Sequence, residues 1–169
     1  MMKVHSINLS SYTRPAVIEQ RNKDYVEYGE NNNYYQYIID RYNGSPTNNA
    51  IINAVSDLIY GKGIDATDSS KKPGEYAQMR SLIHPSCLRK VTADLKMMGQ
   101  CAFQVIYSTD RKVAQVEHMP IQTLRAEKMT DEGEIEAYYY AADWTKVGPQ
   151  HKPERIPAFG TTTENLEIL

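Results

Sequence analysis

The sequence predicts an α+β fold, with amphipathic helices in the N-terminal half packed on a mostly antiparallel β-meander in the C-terminal half. Apolar residues recur at helical spacing from Tyr34 to Met98, the period changes to two beyond Gly99, and Gly, Asn, Asp or Pro mark the breaks. A chain of 169 residues that is 41% hydrophobic has single-domain size and can supply a core without metals or many disulfides.

Residues 1 to 24 mix Ser, Asn, Arg, Lys and Gln with single hydrophobes, a composition that buries too little area to offset ordering entropy. They are expected to form a flexible arm, ordered only against a partner. Residues 25 to 160 make the domain proper, its helical part at about 34 to 99 and its sheet part at about 101 to 160. Tyr25, Val26 and Tyr28 suggest a short strand that Gly29 and the asparagines at 31 to 33 break.

Tyr34, Tyr35, Ile38, Ile39 and Tyr42 fall on one helix face, with Gly44 available as a left-handed stop. Ser45 is a good N-cap, Pro46 suits the first helical position, and Ile51, Ile52, Val55, Leu58 and Ile59 draw a second stripe that ends at Gly61. Asp65 to Gly74 lacks periodicity and predicts a surface loop. Tyr76, Met79, Leu82 and Ile83 predict a short third helix. Pro85 or Ser86 opens a fourth, carrying Leu88, Val91, Leu95 and Met98 to Gly99.

Cys101 to Tyr107 alternates and is rich in β-formers. Ser108 to Arg111 has turn composition, and Val113, Ala114 and Val116 continue a hairpin until Pro120 removes a ladder donor. Ile121 to Met129 predicts a third strand, Asp131-Glu132-Gly133 a turn, and Ile135 to Ala141 a tyrosine-rich fourth strand. Arg155 to Phe159 suits an edge, where its proline is tolerated. Residues 161 to 169 end on Leu166, Ile168 and Leu169 with an apolar alternation still running, which predicts the truncated continuation of a longer protein.

A net charge of -2 and a pI near 6.1 supply no general attraction to phosphate backbones. No apolar run approaches the roughly 20 residues that span a bilayer, so no membrane partner is expected. His5, His84, His118, His151, Cys87 and Cys101 show no zinc-ligand spacing, and no metal or other cofactor is expected. His118, alone on a strand, reads as a surface or satisfied core imidazole. Gly61-Lys62-Gly63 follows a helix instead of opening one, which fits a C-cap better than a phosphate loop.

Cys87 lies near a helix start, where a thiol pKa can fall, but Leu88 and Val91 beside it favour ordinary packing; the two cysteines are read as reduced. No nucleophile elbow or carboxylate pair stands out, so no catalytic residue is named and the chain is not expected to be an enzyme. Thirteen tyrosines against two phenylalanines and one tryptophan suit half-wet surfaces. Tyr138, Tyr139 and Tyr140 could offer a base-stacking platform, but no arginine interleaves them, and alternation sends Tyr139 to the opposite face, which favours a sheet or subunit interface.

The stretch YVEYGENNNYYQYIIDRYNGSPTNNAIINAVSDLIYGKGI, Tyr25 to Ile64, resembles the start of the tailed-bacteriophage portal family. There a YG-(D/E)-(D/N)-N entry leads to a short helix, an N-(N/G)-S-x-x-x-x-A-I-(I/V) junction and a G-x-G turn. LRKVTADLKMMGQCAFQVIY, Leu88 to Tyr107, resembles the family's next helix and strand, and VAQVEHMPIQTLRAEK, GEIEAYYYAADW and RIPAFG resemble the strands that follow.

The resemblance implies the N-terminal wing region of a phage or prophage portal protein, a virion component at the capsid vertex, assembled in the host bacterial cytoplasm. It implies a ring homo-oligomer, commonly of twelve subunits, that acts in DNA packaging and ejection and as head-tail connector. Terminase, the major capsid protein and head-completion proteins are the implied partners, with double-stranded DNA passing through the ring without sequence-specific binding. The near-neutral charge is compatible with DNA that slides. A head-tail adaptor or other capsid-associated protein is the alternative, separated from a portal by whether long amphipathic helices follow; a small intracellular hydrolase is a third reading, which the missing motifs disfavour.

Overall fold

Ser45 joins the first two long helices by serving both at once. In the computed structural model, which describes residues 16–110 and 112–160, α1 (Tyr34–Gly44) runs into α2 (Pro46–Tyr60) across this single extended residue at φ -132. Its hydroxyl accepts the Asn48 N–H at 3.3 Å. The expected left-handed stop at Gly44 is therefore not used. Gly44 stays in the helix, because a cap for α2 needs extended backbone at the next residue. Gly61 does end α2 at φ 54, its N–H bonded to Asp57 O.

The polar loop after Gly61 gives way to α3 (Pro73–Leu82) two residues earlier than its composition suggests, with Pro73 in the first turn and Gly74 inside the helix. His84 caps α4 (Pro85–Met98) through Nδ1, which accepts the Ser86 N–H at 3.2 Å. Gly99 closes α4 in the left-handed region at φ 73.

Helices precede the main sheets, which are antiparallel, so the chain has the expected α+β mix. The hairpin of β3 (Ala102–Tyr107) and β4 (Val113–Met119) pairs Ala102 with Met119 and Phe103 with His118, and shifts register between Ile106 and Tyr107. Arg111, in the turn between them, lies outside the described residues.

The expected third strand is split: Ile121–Thr123 forms a 3-10 turn before β5 (Leu124–Ala126). Pro120 at φ -60 leads into that turn, and its carbonyl accepts both the N–H and the hydroxyl of Thr123. β6 (Ala137–Tyr140) lies between β5 and the edge strand β7 (Glu154–Pro157), with Gly133 at φ 84 in the connecting turn.

The arm expected through residue 24 does not hold for its described part. β1 (Val17–Glu19) pairs antiparallel with β2 (Val26–Tyr28), and Lys128 Nζ donates to Gln20 O at 2.6 Å. Residues 1 to 15 of that arm, His5 among them, and the expected continuation at 161 to 169 lie outside the described residues. A bridge from Tyr25 to Glu127 joins this ribbon to β5.

Tyr35, Met98, Ile121 and Leu124 form the buried centre, and Tyr28, Tyr34, Ile38, Ile39, Met119 and Tyr140 pack around it. Helices α1 and α4 thus meet the sheets in one core. Tyrosine supplies much of it: the Tyr28 and Tyr35 rings lie 5.6 Å apart, and the Tyr35 hydroxyl reaches Gln100 Oε1 at 2.8 Å.

Two helix faces are turned relative to their sequence stripes. On α4 the buried residues are Cys87, Val91, Asp94 and Met98, while Leu95 stands out. On α2 the inward side centres on Ile52 and Ser56, whose hydroxyl donates to Ile52 O, and leaves Ile51, Leu58 and Ile59 outside.

Candidate functional site

Alternation along β5 sends Leu124 and Ala126 to one side and Arg125 to the other, beneath the asparagine turn that precedes α1. Arg125 is only 3% exposed. Its Nε donates to Asn32 Oδ1, Nη1 to Gln122 O at 3.0 Å and Leu124 O at 2.7 Å, and Nη2 to Asn32 O at 3.2 Å. The rings of Trp144 and Tyr35 lie 4.7 and 5.0 Å from the guanidinium carbon.

No carboxylate of the described residues forms an ion pair with Arg125. Burial pulls its pKa down to about 10, although Tyr35, Tyr28 and Glu27 favour the charged form. The same burial pushes the Tyr35 hydroxyl up. Asn31 and Asn32 take left-handed backbone at φ 53 and 58, and Asn32 Oδ1 also accepts the Tyr28 N–H. Trp144 is fixed by its indole N–H, which donates to Thr123 O at 3.0 Å. A cavity of about 150 Å³ opens between this turn, the start of α1 and Trp144.

A second polar centre ties α4 to the hairpin. Asp94 Oδ2 lies 2.8 Å from His118 Nε2 and also accepts the Ile121 N–H at 3.4 Å. Both side chains are nearly buried. Burial raises the Cys87 pKa, helped by Glu117, and burial with Asp94 raises that of Cys101.

His84 works as a helix cap, and His151 lies in a short bridge with Gly148. Gly61-Lys62-Gly63 forms the end of α2, with the Gly63 N–H on Tyr60 O. Among the described residues no group of three or more His, Cys, Asp and Glu side chains is placed to hold a metal. No described helix is long and apolar enough to cross a membrane.

The three tyrosines of β6 separate. Tyr140 packs on the core, Tyr139 lies against the Tyr25 ring and donates to Glu127, and Tyr138 stays partly exposed. Arg155 holds Glu127 with two bonds, Nε to Oε1 at 2.7 Å and Nη2 to Oε2 at 2.8 Å, which draws the Glu127 pKa down.

The remaining feature is apolar surface. Leu58 is 80% exposed and Ile51 56%, one helix face of α2 that covers nothing among the described residues, and Phe103 and Ile106 are exposed on β3. Sequence reading placed Ile51 and Leu58 on the apolar stripe of a helix and Phe103 and Ile106 on an alternating strand, and it did not single out Arg125, Asn32 or Asp94. The only trace of Arg125 was a cation inside an otherwise apolar Leu124–Ala126 strand. No known protein family, no characterised protein and no solved structure matches the chain.

Proposed function

We propose that this chain is the wing-forming part of a portal-type ring subunit of a tailed bacteriophage or prophage, a structural protein that works through contacts with its neighbours. The carrying observation is the Tyr25 to Ile64 block. Its portal-like motif order is a YG-(D/E)-(D/N)-N entry, a short helix, an N-(N/G)-S-x-x-x-x-A-I-(I/V) junction and a G-x-G turn, and here these segments fall on the 3-10 turn at Glu30–Asn32, α1, the Ser45 junction into α2, and Gly61 to Gly63.

The outward apolar face of α2 supports the same reading, since among the described residues nothing covers Ile51, Leu58 and Ile59, and a neighbouring chain would gain by burying them. Copies of this chain are the first partners, with terminase, capsid and head-completion proteins around the ring and double-stranded DNA passing through it. The small net charge leaves that DNA free to slide.

The test is electron microscopy of the product of the full reading frame that encodes this chain. Rings with a central hole are expected, followed in sequence by long amphipathic helices. A frame that stops soon after Leu169 and yields no rings points to an adaptor or capsid-associated protein instead, and metal-dependent hydrolysis lost on His118→Ala would point to an enzyme.

A further inference from the structure

We propose that the cavity between the asparagine turn, the first turn of α1 and Trp144 binds a small oxyanion, a carboxylate or a phosphate, between the Arg125 guanidinium and the free amides of α1. This site is independent of the ring-subunit reading and stands or falls without it.

Arg125 brings a full positive charge to the cavity wall at 3% exposure. Its acceptors, Asn32 Oδ1 and the carbonyls of Asn32, Gln122 and Leu124, are all neutral, so they orient the guanidinium without cancelling its charge. Nη2 carries two N–H groups and, among the described residues, meets only Asn32 O. Glu27, the acid whose charge reaches Arg125, is bound to Lys23 and Gln20 instead.

The start of α1 opens on the same cavity through Asn33, Tyr35 and Gln36. Tyr37 is the first residue of this 11-residue helix whose N–H reaches back to a carbonyl, that of Asn33, so the N–H groups of Tyr34, Tyr35 and Gln36 have no intrahelical acceptor. The Asn33 side chain caps none of them, and the first turn holds no acid. Amides and helix dipole together favour negative charge there.

Gln122, also on the wall, has a buried Oε1 without a partner among the described residues. Rotation of that amide by half a turn offers an N–H to an anion at the same place. The one carboxylate on the wall, Asp143, accepts the Thr145 N–H and hydroxyl and is paired with Lys146 at 2.9 Å. The volume, about 150 Å³, suits an acetate- or phosphate-sized group.

Trp144 is the only tryptophan of the chain and reports on the site directly. The whole chain is titrated with inorganic phosphate and with acetate at ionic strength held constant by chloride, and followed by tryptophan fluorescence and melting temperature. A saturable fluorescence change and a rise in Tm that chloride does not reproduce are expected, and the stronger of the two anions names the ligand geometry. Asn33→Asp sets a carboxylate on the same amides from an exposed position; it should keep the wild-type circular dichroism and weaken anion binding by about tenfold or more. Arg125→Lys, if folded, should weaken it too. A response no different from chloride, or undiminished binding by folded Asn33→Asp, overturns the site.

Discussion

Asp94 and His118, 24 residues apart in sequence, face each other across the joint between α4 and β4 at 2.8 Å, and the same carboxylate holds the Ile121 N–H. One side chain thereby fixes the helix, the hairpin and the 3-10 turn that follows it. Asp94→Ala leaves a buried imidazole and a buried amide without their acceptor, and should lower stability by about 2 kcal/mol. Urea unfolding checks this through a lower midpoint at unchanged slope, with Asp94→Asn losing less because it keeps an acceptor oxygen.

Arg125 is held by a planar fork of donors stacked among aromatic rings. Lysine cannot serve Asn32, Gln122 and Leu124 together, so Arg125→Lys should cost on the order of 2–3 kcal/mol despite the conserved charge. Thermal melts of the two proteins measure it; equal melting temperatures would show that the fork is dispensable.

The Glu127 carboxyl is held below its ordinary value of 4.5, first by its bonds to Arg155. A depressed carboxylate pKa contributes stability that is present above the unfolded value and is lost as pH falls through the folded one. The loss should therefore begin near pH 4.5 and continue below it. Arg155→Ala should remove roughly 0.5–1 kcal/mol at neutral pH, given the partial exposure of Arg155, and flatten the acid limb of the stability curve. Denaturant titrations between pH 3 and 7, on the order of five points, suffice.

Leu58→Asp and Ile51→Lys change side chains that cover nothing among the described residues. Each should alter monomer stability by less than about 0.5 kcal/mol. Self-association, followed by light scattering on a sizing column, should drop sharply in both. A monomer strongly destabilised by either change would mean that this face is internal.

Local chemistry made much of the fold legible. Ser45 and Pro46 start α2, Gly61 and Gly99 stop α2 and α4, and alternation from Ala102 to Tyr107 marks β3, because each signal acts within a few residues. Gly44 misled because a glycine permits left-handed backbone without requiring it, and the next cap needed the neighbouring residue extended.

The sequence by itself determined where the four helices and the β3–β4 hairpin lie, though not β1 or the split at Ile121–Thr123, since caps, turns and periodicity are contacts between near neighbours. Tertiary structure alone decided which faces turn inward: a stripe defines orientation only to within a residue step of roughly 100°, and partners far along the chain settle the rest. His118 draws Asp94 in and leaves Leu95 out, and Asn32, 93 residues before Arg125, makes a buried cation tenable on β5. Such pairings come from the three-dimensional approach of distant polar groups, which no local pattern encodes.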